Sequence, residues 1–365
     1  MQFVLIAINI EVIGCSRGLL ANRLDEDRRF RYDPPEIRDR GGLTEEAERI
    51  MHIVTGAAGF IGSNLVRRLN DAGIEDILVV DDLVQRDKFK NLRDLAIADY
   101  MDHREFRDLI RKGGPAGSIH SLYHQGANAD TTDHDGRAMM DTNYTFSKEL
   151  LHWALDRRVP MVYASSASVY GNTPQCVEDP LCEKPLNVYA YSKLQFDRYV
   201  RNLPRPLAST VVGLRYFNVY GPNETYKEKM SSTIHQFSRQ IAETGVARLF
   251  DGSDGYGPGE QRRDFVYVGD VVEVNHHFAT KPRAFGIFNC GTGIDRSFND
   301  IANILIAKLG RGRIEYMPFP ESLRGKYQSF TRSDISRLRE AGYTRPFSTL
   351  EEGIARFLEA SREGA

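Results

Sequence analysis

One glycine-rich stretch, residues 51–62 (MHIVTGAAGFIG), constrains the fold more than any other part of the sequence. It opens with a short apolar, β-branched run that is typical of a strand buried on both faces. Gly56, Gly59 and Gly62 follow, and residues 63–70 then show helical periodicity. Such glycines allow a tight turn, the approach of a pyrophosphate to the backbone and close packing of helix on strand. The positive end of the helix dipole would face that anion.

A second apolar run, residues 77–80, ends in Asp81, 19 residues after the last of these glycines. A carboxylate at this position is expected to bind the ribose of a dinucleotide. Asp82, Arg86 and Lys88 follow closely. The carboxylates favour the free 2′-hydroxyl of NAD, whereas the basic side chains suit the 2′-phosphate of NADP. The sequence therefore predicts a dinucleotide site and leaves the choice of dinucleotide open.

Composition excludes several other classes of protein. The chain has 365 residues, 41% of them hydrophobic, and a net charge of −2, which indicates a sizeable core and gives no basic face for nucleic acid. No apolar run approaches the roughly 18 residues of a membrane span. The four cysteines lack C-x-x-C spacing, which favours free thiols and a cytoplasmic location. His120 and His124 lie on a predicted strand and turn, so structural roles are favoured over metal binding, and no metal is expected.

Residues 1–50 do not resemble the start of a domain. Residues 22–49 carry a dense mixture of charges with few apolar residues, a composition typical of disorder. Met51, directly before the first strand, would be a natural start. We therefore expect residues 1–50 to be a disordered extension or the product of an upstream start that is not used.

The alternation of strands and helices continues after Asp81. Further strands are predicted at residues 95–99, 118–123 and 159–164, with an amphipathic helix over residues 141–153. The fourth strand leads into a turn of small residues that would lie beside a cofactor. The pattern predicts an α/β fold with a doubly wound, Rossmann-type parallel sheet.

A serine, a tyrosine and a lysine carry the predicted chemistry. Ser166 ends the fifth strand, and Tyr189 and Lys193 share one face of the next helix at i and i+4. A lysine ammonium beside a phenol would lower the phenol pKa, and the serine would hydrogen-bond the same substrate hydroxyl. Such a pair also occurs on solvated helix faces. The order of glycine turn, acidic residue, serine, tyrosine and lysine favours catalysis.

Several longer motifs then carry a family resemblance: TGAAGFIGSN (55–64), EKPLNVYAYSK (183–193), RYFNVYGPNE (215–224), RRDFVYVGDV (262–271) and FNCGTG (288–293). From residue 51 onward the chain resembles the extended short-chain dehydrogenases/reductases of the nucleotide-sugar branch, most closely the ADP-L-glycero-D-manno-heptose 6-epimerases. The resemblance implies inversion of C6″ of ADP-D-glycero-β-D-manno-heptose by transient oxidation and re-reduction with tightly bound NADP, or NAD, for the lipopolysaccharide core. It also implies a homo-oligomer, a pentamer in this family.

The resemblance assigns roles residue by residue. Catalytic roles fall on Tyr189, Lys227, Ser166 and Lys193. Cofactor contacts fall on Gly56, Gly59, Phe60, Ile61, Gly62, Asp81, Asp82, Lys88, Gln125, Gly126, Ala127, Asn128, Ala129, Thr142, Lys193, Val219 and Lys227. Contacts with the nucleotide-sugar fall on Ser166, Asn218, Lys229, Gln236, Phe250, Asp251, Gly252, Ser253, Arg263 and Tyr327. A guanidinium at Arg263 suits a diphosphate, which it can bind with two parallel hydrogen bonds.

The chain departs from the family pattern at a few positions. Thr142 stands where asparagine is usual, with Asn143 next to it, and Lys229 replaces a small polar residue. His235 is one place early, and residues 255–259 lengthen a loop.

Two domains and two rival functions complete the expectations. A Rossmann domain is expected over residues 51–217 with about 264–280, and a smaller mixed α/β nucleotide-sugar domain over 218–263 and 281–360. The nearest rival is another nucleotide-sugar epimerase or dehydratase of the same fold, such as a UDP-hexose 4-epimerase. Ser166-Ala167-Ser168 lacks the acidic pair that a dehydratase would need. A non-catalytic NAD(P)-binding protein is the second rival.

Overall fold

The computed structural model describes residues 50–85, 87–130, 135–321 and 327–363, and these belong to one compact unit. The predicted disordered extension lies outside the described residues, apart from Ile50. The strands are β1 (Ile50–Thr55), β2 (Ile77–Asp81), β3 (Asp99–Asp102), β4 (Ser118–His124), β5 (Met161–Ser166), β6 (Val211–Tyr216), β7 (Asn218–Tyr220), β8 (Val246–Phe250), β9 (Arg262–Tyr267), β10 (Phe285–Cys290), β11 (Asp295–Ser297) and β12 (Arg313–Met317).

The helices alternate with these strands. They are α1 (Phe60–Asp71), α2 (His103–Arg111), α3 (Gly136–Met140), α4 (Phe146–Arg157), α5 (Val188–Arg201), α6 (Thr233–Thr244), α7 (Val268–Ala279), α8 (Phe298–Leu309), α9 (Ser336–Glu340) and α10 (Leu350–Glu363). A π-helical turn, Asp141–Thr145, joins α3 to α4.

Seven strands form a parallel sheet in the order β10-β6-β5-β4-β1-β2-β3. Its central strands are continuous apolar runs because helices cover both faces, and Ile53 and Val54 on β1 are fully buried. The chain proceeds from β1 outward to β3 and then crosses back to β4. This reversal beside β1 is the point where a doubly wound sheet leaves a crevice at its carboxyl edge. The predicted fold class is confirmed.

Two element predictions need correction. The predicted strand over residues 95–99 is wrong, because the strand is β3 and Leu95 and Ile97 pack on the core from a loop instead. The apolar residues of 95–99 correctly indicated that part of this segment packs on the core, but hydrophobicity does not determine whether the backbone pairs as a β-strand. The helix predicted from residue 141 begins as the π-helical turn, and regular α4 starts at Phe146.

A smaller group of elements adjoins the sheet. Strands β8 and β12 pair with each other, and α6, α8 and α10 pack around a core that includes Ile234, Ile241 and Leu305. The expected boundary at residue 281 needs correction, because β10 pairs with β6 along its whole length and so completes the large sheet. The remaining division of the chain into two domains stays a prediction.

Candidate active site

The glycine turn after β1 is sterically fixed. Gly56 has φ +65°, and a Cβ there would lie 2.6 Å from the backbone nitrogen of Gly126. A Cβ on Gly62 would lie 2.1 Å from the carbonyl oxygen of Gly56, so no side chain fits where α1 meets the turn. The turn therefore packs as bare backbone against the loop after β4 and the start of α1, which is the close packing that a dinucleotide-binding turn requires.

Asp81 holds this turn in place. Its buried carboxylate accepts hydrogen bonds from the backbone N–H groups of Ala58 and Asp82, each at 2.8 Å, and it pairs with the ammonium group of Lys88. Lys88 also contacts Asp82 at 3.1 Å. Burial lowers the pKa of Lys88, but the two carboxylates more than offset this and raise it. Asp82 is the more exposed of the two carboxylates, and Arg86 lies outside the described residues.

The predicted cofactor loop after β4 is anchored by a neutral histidine. The Thr55 hydroxyl lies 2.7 Å from Nδ1 of His124 and accepts the N–H of Gly126 at 3.1 Å. Nε2 of His124 lies 2.9 Å from the hydroxyl of Ser147 on α4. Burial lowers the pKa of His124 to about 3, so its imidazole stays uncharged. Its role is structural, and the ring of His120 packs against His52 instead.

Asn143, rather than its predicted neighbour Thr142, links this loop to α5. Its side-chain oxygen accepts the N–H of Asn128 at 2.8 Å, and its amide group donates to the carbonyl of Asn128 and to the hydroxyl of Ser192. The π-helical turn carries Asn143, which is 1% exposed, whereas Thr142 is half-buried. The sequence already contains the signal for this residue. Asparagine is usual at position 142, and this chain has threonine there but asparagine at the next position.

The serine, tyrosine and lysine come together at the ends of β5 and α5. Ser166 ends β5, its hydroxyl accepts from the N–H and the hydroxyl of Ser168 at 3.2 and 2.9 Å, and it is close enough to Tyr189 to lower the pKa of that phenol. Lys193 is buried, and its ammonium group donates to the carbonyl of Ala164 at 2.9 Å. Burial lowers the pKa of Lys193 to about 8. The expected lowering of the Tyr189 pKa by Lys193 is not found, since burial raises that pKa and the nearby Ser166 hydroxyl offsets it only in part.

A buried ion-pair network, which the sequence did not predict, joins α5 to the neighbouring strands β5 and β6. Asp197 on α5 accepts from Arg215 at 2.9 Å, from the Ser165 hydroxyl at 2.9 Å and from the Tyr163 hydroxyl at 3.1 Å. Arg215 also pairs with Glu183 at 2.5 Å. Because these residues lie on separate elements, their contacts fix α5, and with it Tyr189, against β5 and β6.

Lys227 lies in a segment that folds over the start of α1. Its ammonium group is 5.2 Å from the centre of the Phe60 ring, and burial lowers its pKa against the opposing effect of Glu224. Glu224 is fully buried and accepts from the backbone and side chain of Ser232. Glu228, which directly follows Lys227, has a positive φ of +45° with ψ −113°, a backbone conformation that favours glycine. The side chain of Lys229 lies outside what the structure describes.

Arg263 on β9 is the most unusual side chain on the substrate side. It is 5% exposed, and no carboxylate among residues 50–85, 87–130, 135–321 and 327–363 pairs with it. Its guanidinium lies 4.9 Å from the ring centre of Tyr327 and donates to the carbonyl of Arg262 at 3.1 Å. Burial lowers its pKa, although the guanidinium stays charged. A buried cation with spare donors is suited to bind an anion.

Aromatic rings cluster around Tyr327, the ring that this arginine contacts. The rings of Phe250, Phe319 and Tyr327 meet edge to face at 5.4 to 6.5 Å. Phe319 was not among the predicted site residues. A Cβ on Gly252 would lie 2.0 Å from the carbonyl of Tyr256, so the following loop needs glycine there.

The remaining predicted residues have differing surroundings. The hydroxyl of Ser253 accepts from Gln261, and the Asp251 N–H donates to Met317. Asn218 is exposed on β7, 3.5 Å from the Thr331 hydroxyl, and Val219 is half-buried beside it. Gln236 donates to the carbonyl of Ser231. Ile61 packs on the core, Gln125 hydrogen-bonds with Asn275, Ala127 is half-buried and Ala129 is exposed.

The residues that the structure describes contain no helix of the length and apolarity needed to cross a membrane. They also contain no group of three or more histidine, cysteine or acidic side chains that could hold a metal ion.

Comparison with known proteins places the chain in a defined group. A model of the NAD dependent epimerase/dehydratase family matches residues 52–291. An ADP-L-glycero-D-manno-heptose-6-epimerase of Alkalilimnicola ehrlichii is 52% identical over 310 residues, which are 85% of this chain and 97% of that protein. The crystal structure of the Helicobacter pylori ADP-L-glycero-D-manno-heptose-6-epimerase superposes with a TM-score of 0.73 at 33% identity, covering 86% of this chain and 96% of that one. A Thermotoga maritima UDP-glucose 4-epimerase with UDP-glucose gives 0.71 at 26%, covering 86% and 99%.

Proposed function

The chain belongs to the NAD-dependent epimerase/dehydratase family, and from that premise we propose that it is an ADP-L-glycero-D-manno-heptose 6-epimerase. The reaction inverts C6″ of ADP-D-glycero-β-D-manno-heptose. Two observations support this assignment over others in the family: the 52% identity to a protein of that name, and the same name on a structural relative at 33% identity.

The dinucleotide would be held by the glycine turn, by Asp82 and Lys88 in the segment after β2, and by the loop over residues 125–129. When bound, it supplies a carbon that accepts a hydride from the sugar and gives one back. The steric limits at Gly56 and Gly62 support this placement, because they fix the tight turn and the close packing of α1 that a dinucleotide-binding loop needs. NADP is proposed as the natural cofactor, with NAD as the alternative.

Tyr189 and Lys227 would act as the two acid–base groups, one for each face of the sugar carbon. The raised pKa of the Tyr189 phenol keeps it protonated at rest, ready to donate, and Ser166 would orient it toward the hydroxyl on C6″. The lowered pKa of Lys227 makes its neutral amine more accessible as a base. Lys193, fixed to the carbonyl of Ala164, would bind the ribose next to the nicotinamide.

Arg263 would bind the diphosphate of the substrate, and its burial without a carboxylate partner is the observation that carries this part of the proposal. The rings of Phe250 and Tyr327 would pack against the nucleoside beyond it. Asn218, Lys229, Gln236 and residues 251–253 would complete the substrate contacts.

The test is incubation of the purified protein with ADP-D-glycero-D-manno-heptose, with the C6″ configuration followed by NMR. Tyr189→Phe and Lys227→Met should each lower turnover about 10²- to 10⁴-fold with unchanged thermal stability. Tyr191→Phe, an exposed tyrosine on the same helix, and Lys308→Met, an exposed lysine on α8, are matched controls that should retain full turnover. Absence of inversion together with turnover of UDP-galactose would instead assign the protein to the hexose 4-epimerases.

We also propose a cytoplasmic location and a homo-oligomeric, pentameric assembly. The free thiols of Cys176, Cys182 and Cys290 support a reducing compartment. Light scattering after size exclusion would measure the assembly, and a monomer at micromolar concentration would contradict it.

A further inference from the structure

The phenol of Tyr226 lies at the start of α1, where the sequence predicts that a cofactor diphosphate binds. The N–H of Phe60, the first residue of α1, donates to this phenol oxygen at 2.9 Å. A Cβ built on Gly59 would lie 3.4 Å from the same oxygen, so the phenol lies directly against bare backbone of the glycine turn. Lys88 and Asp81 are close enough to shift the pKa of this phenol, in opposite directions. Tyr226 therefore lies at the glycine turn and near the Asp81–Lys88 pair, and both are places where the dinucleotide is expected to bind.

The hydroxyl of Tyr226 has one hydrogen-bonding function left over. It accepts from Phe60, but no described residue accepts its own proton. Burial raises the pKa of Tyr226, so that proton is present at neutral pH. A phenol that accepts from a helix N-terminus and has a proton to donate is suited to bind a phosphate oxygen while staying in place.

The segment that carries Tyr226 is fixed by contacts on both sides. Asn223 donates to the Ser63 hydroxyl at 3.0 Å, and Asn64 donates to the carbonyl of Pro222 at 3.1 Å. On the other side of the segment, the buried Glu224 carboxylate accepts a hydrogen bond from the backbone N–H of Ser232. These contacts pre-organise the phenol, which lowers the entropic cost of using it as a ligand.

We propose that Tyr226 is a ligand of the dinucleotide diphosphate: its hydroxyl accepts from the Phe60 N–H and donates to a phosphate oxygen, in place of a direct Phe60 contact. The inference rests on the proposed function only in requiring a bound dinucleotide, not in the identity of the sugar. It also makes Lys227, the adjacent residue, part of one segment that contacts the cofactor through Tyr226 and the substrate through its amine.

The experiment compares Tyr226→Phe with the unaltered protein in titrations with NADPH, ADP-ribose and adenosine. We expect the affinity for NADPH and ADP-ribose to fall about 10- to 100-fold, as for the loss of one hydrogen bond to a charged group, while adenosine binding is unchanged. Tyr316→Phe, in which an exposed tyrosine on β12 loses its hydroxyl, is the control and should bind all three ligands normally.

Three results would overturn the proposal. Unchanged binding would show that the phenol does not contact the diphosphate, and tighter binding would show that it competes with the diphosphate for the Phe60 N–H. An equal loss of adenosine affinity would show a general disturbance of the site. Because these titrations use no sugar substrate, they remain decisive even if the epimerase assignment fails. Thermal unfolding of Tyr226→Phe would establish that the variant is folded.

Discussion

Replacement of Arg263 by methionine tests the substrate side most directly, because binding and stability should respond in opposite ways. Methionine is unbranched and fills similar space without charge or donors. The guanidinium would make two charge-assisted hydrogen bonds to a diphosphate, each contributing about 1.5–3 kcal/mol. Loss of both should therefore raise the KM for the nucleotide-sugar at least about 100-fold.

The stability of Arg263→Met should be unchanged or higher. Arg263 is 5% exposed, and no carboxylate in the described part of the chain pairs with it, so the folded protein carries the desolvation of that cation without an ion pair. Arg215→Met is the matched control, because Arg215 is also buried but pairs with Asp197 and Glu183. Removal of Arg215 leaves two buried carboxylates without that partner and should cost about 3–5 kcal/mol.

Urea unfolding of both variants without ligand, together with steady-state kinetics, measures these effects. If Arg263→Met lost as much stability as Arg215→Met, Arg263 would be a structural cation rather than an anion-binding residue. If its stability were retained but KM did not change, the diphosphate would bind elsewhere. Either result would refute the reasoning from burial and missing charge.

Three further predictions concern the fold around the site. Gly62→Ala would place a Cβ 2.1 Å from the Gly56 carbonyl and should lower both thermal stability and dinucleotide affinity, whereas Gly136→Ala, with 3.7 Å to its nearest neighbour, should be neutral in both assays. His124 has a pKa of about 3 in the folded protein against 6.5 ordinarily, so the unfolded chain binds the extra proton and stability falls as pH drops below about 6.5. His124→Gln should flatten this decline in urea unfolding at about pH 4–6.5, and an equally steep decline would contradict it. Glu228→Gly should raise the melting temperature, since glycine adopts φ +45° without the strain of about 1–3 kcal/mol, and a lower melting temperature would show that the Glu228 side chain contributes contacts that outweigh that strain.

Local patterns in the sequence were sufficient to predict the glycine turn before α1 and the helix that carries Tyr189 and Lys193. The glycine spacing, the acidic residue that ends β2 and the i, i+4 pair at Tyr189 and Lys193 each depend on neighbours within a few residues or one βα unit. Backbone geometry and side-chain periodicity encode such features directly. The same reasoning failed for residues 95–99, where an apolar run marks burial whether or not the backbone pairs as a strand.

The tertiary structure alone decided the contacts between distant parts of the chain. The Phe60 N–H meets the Tyr226 phenol across 166 residues, and β10 joins β6 to complete the large sheet. That no carboxylate in the described part of the chain pairs with Arg263 is also a property of the fold. The sequence contains 50 acidic residues and does not show which of them lie near this arginine. Hydrophobic periodicity specifies which face of an element is buried, whereas the pairing of buried polar groups follows from how those elements pack together.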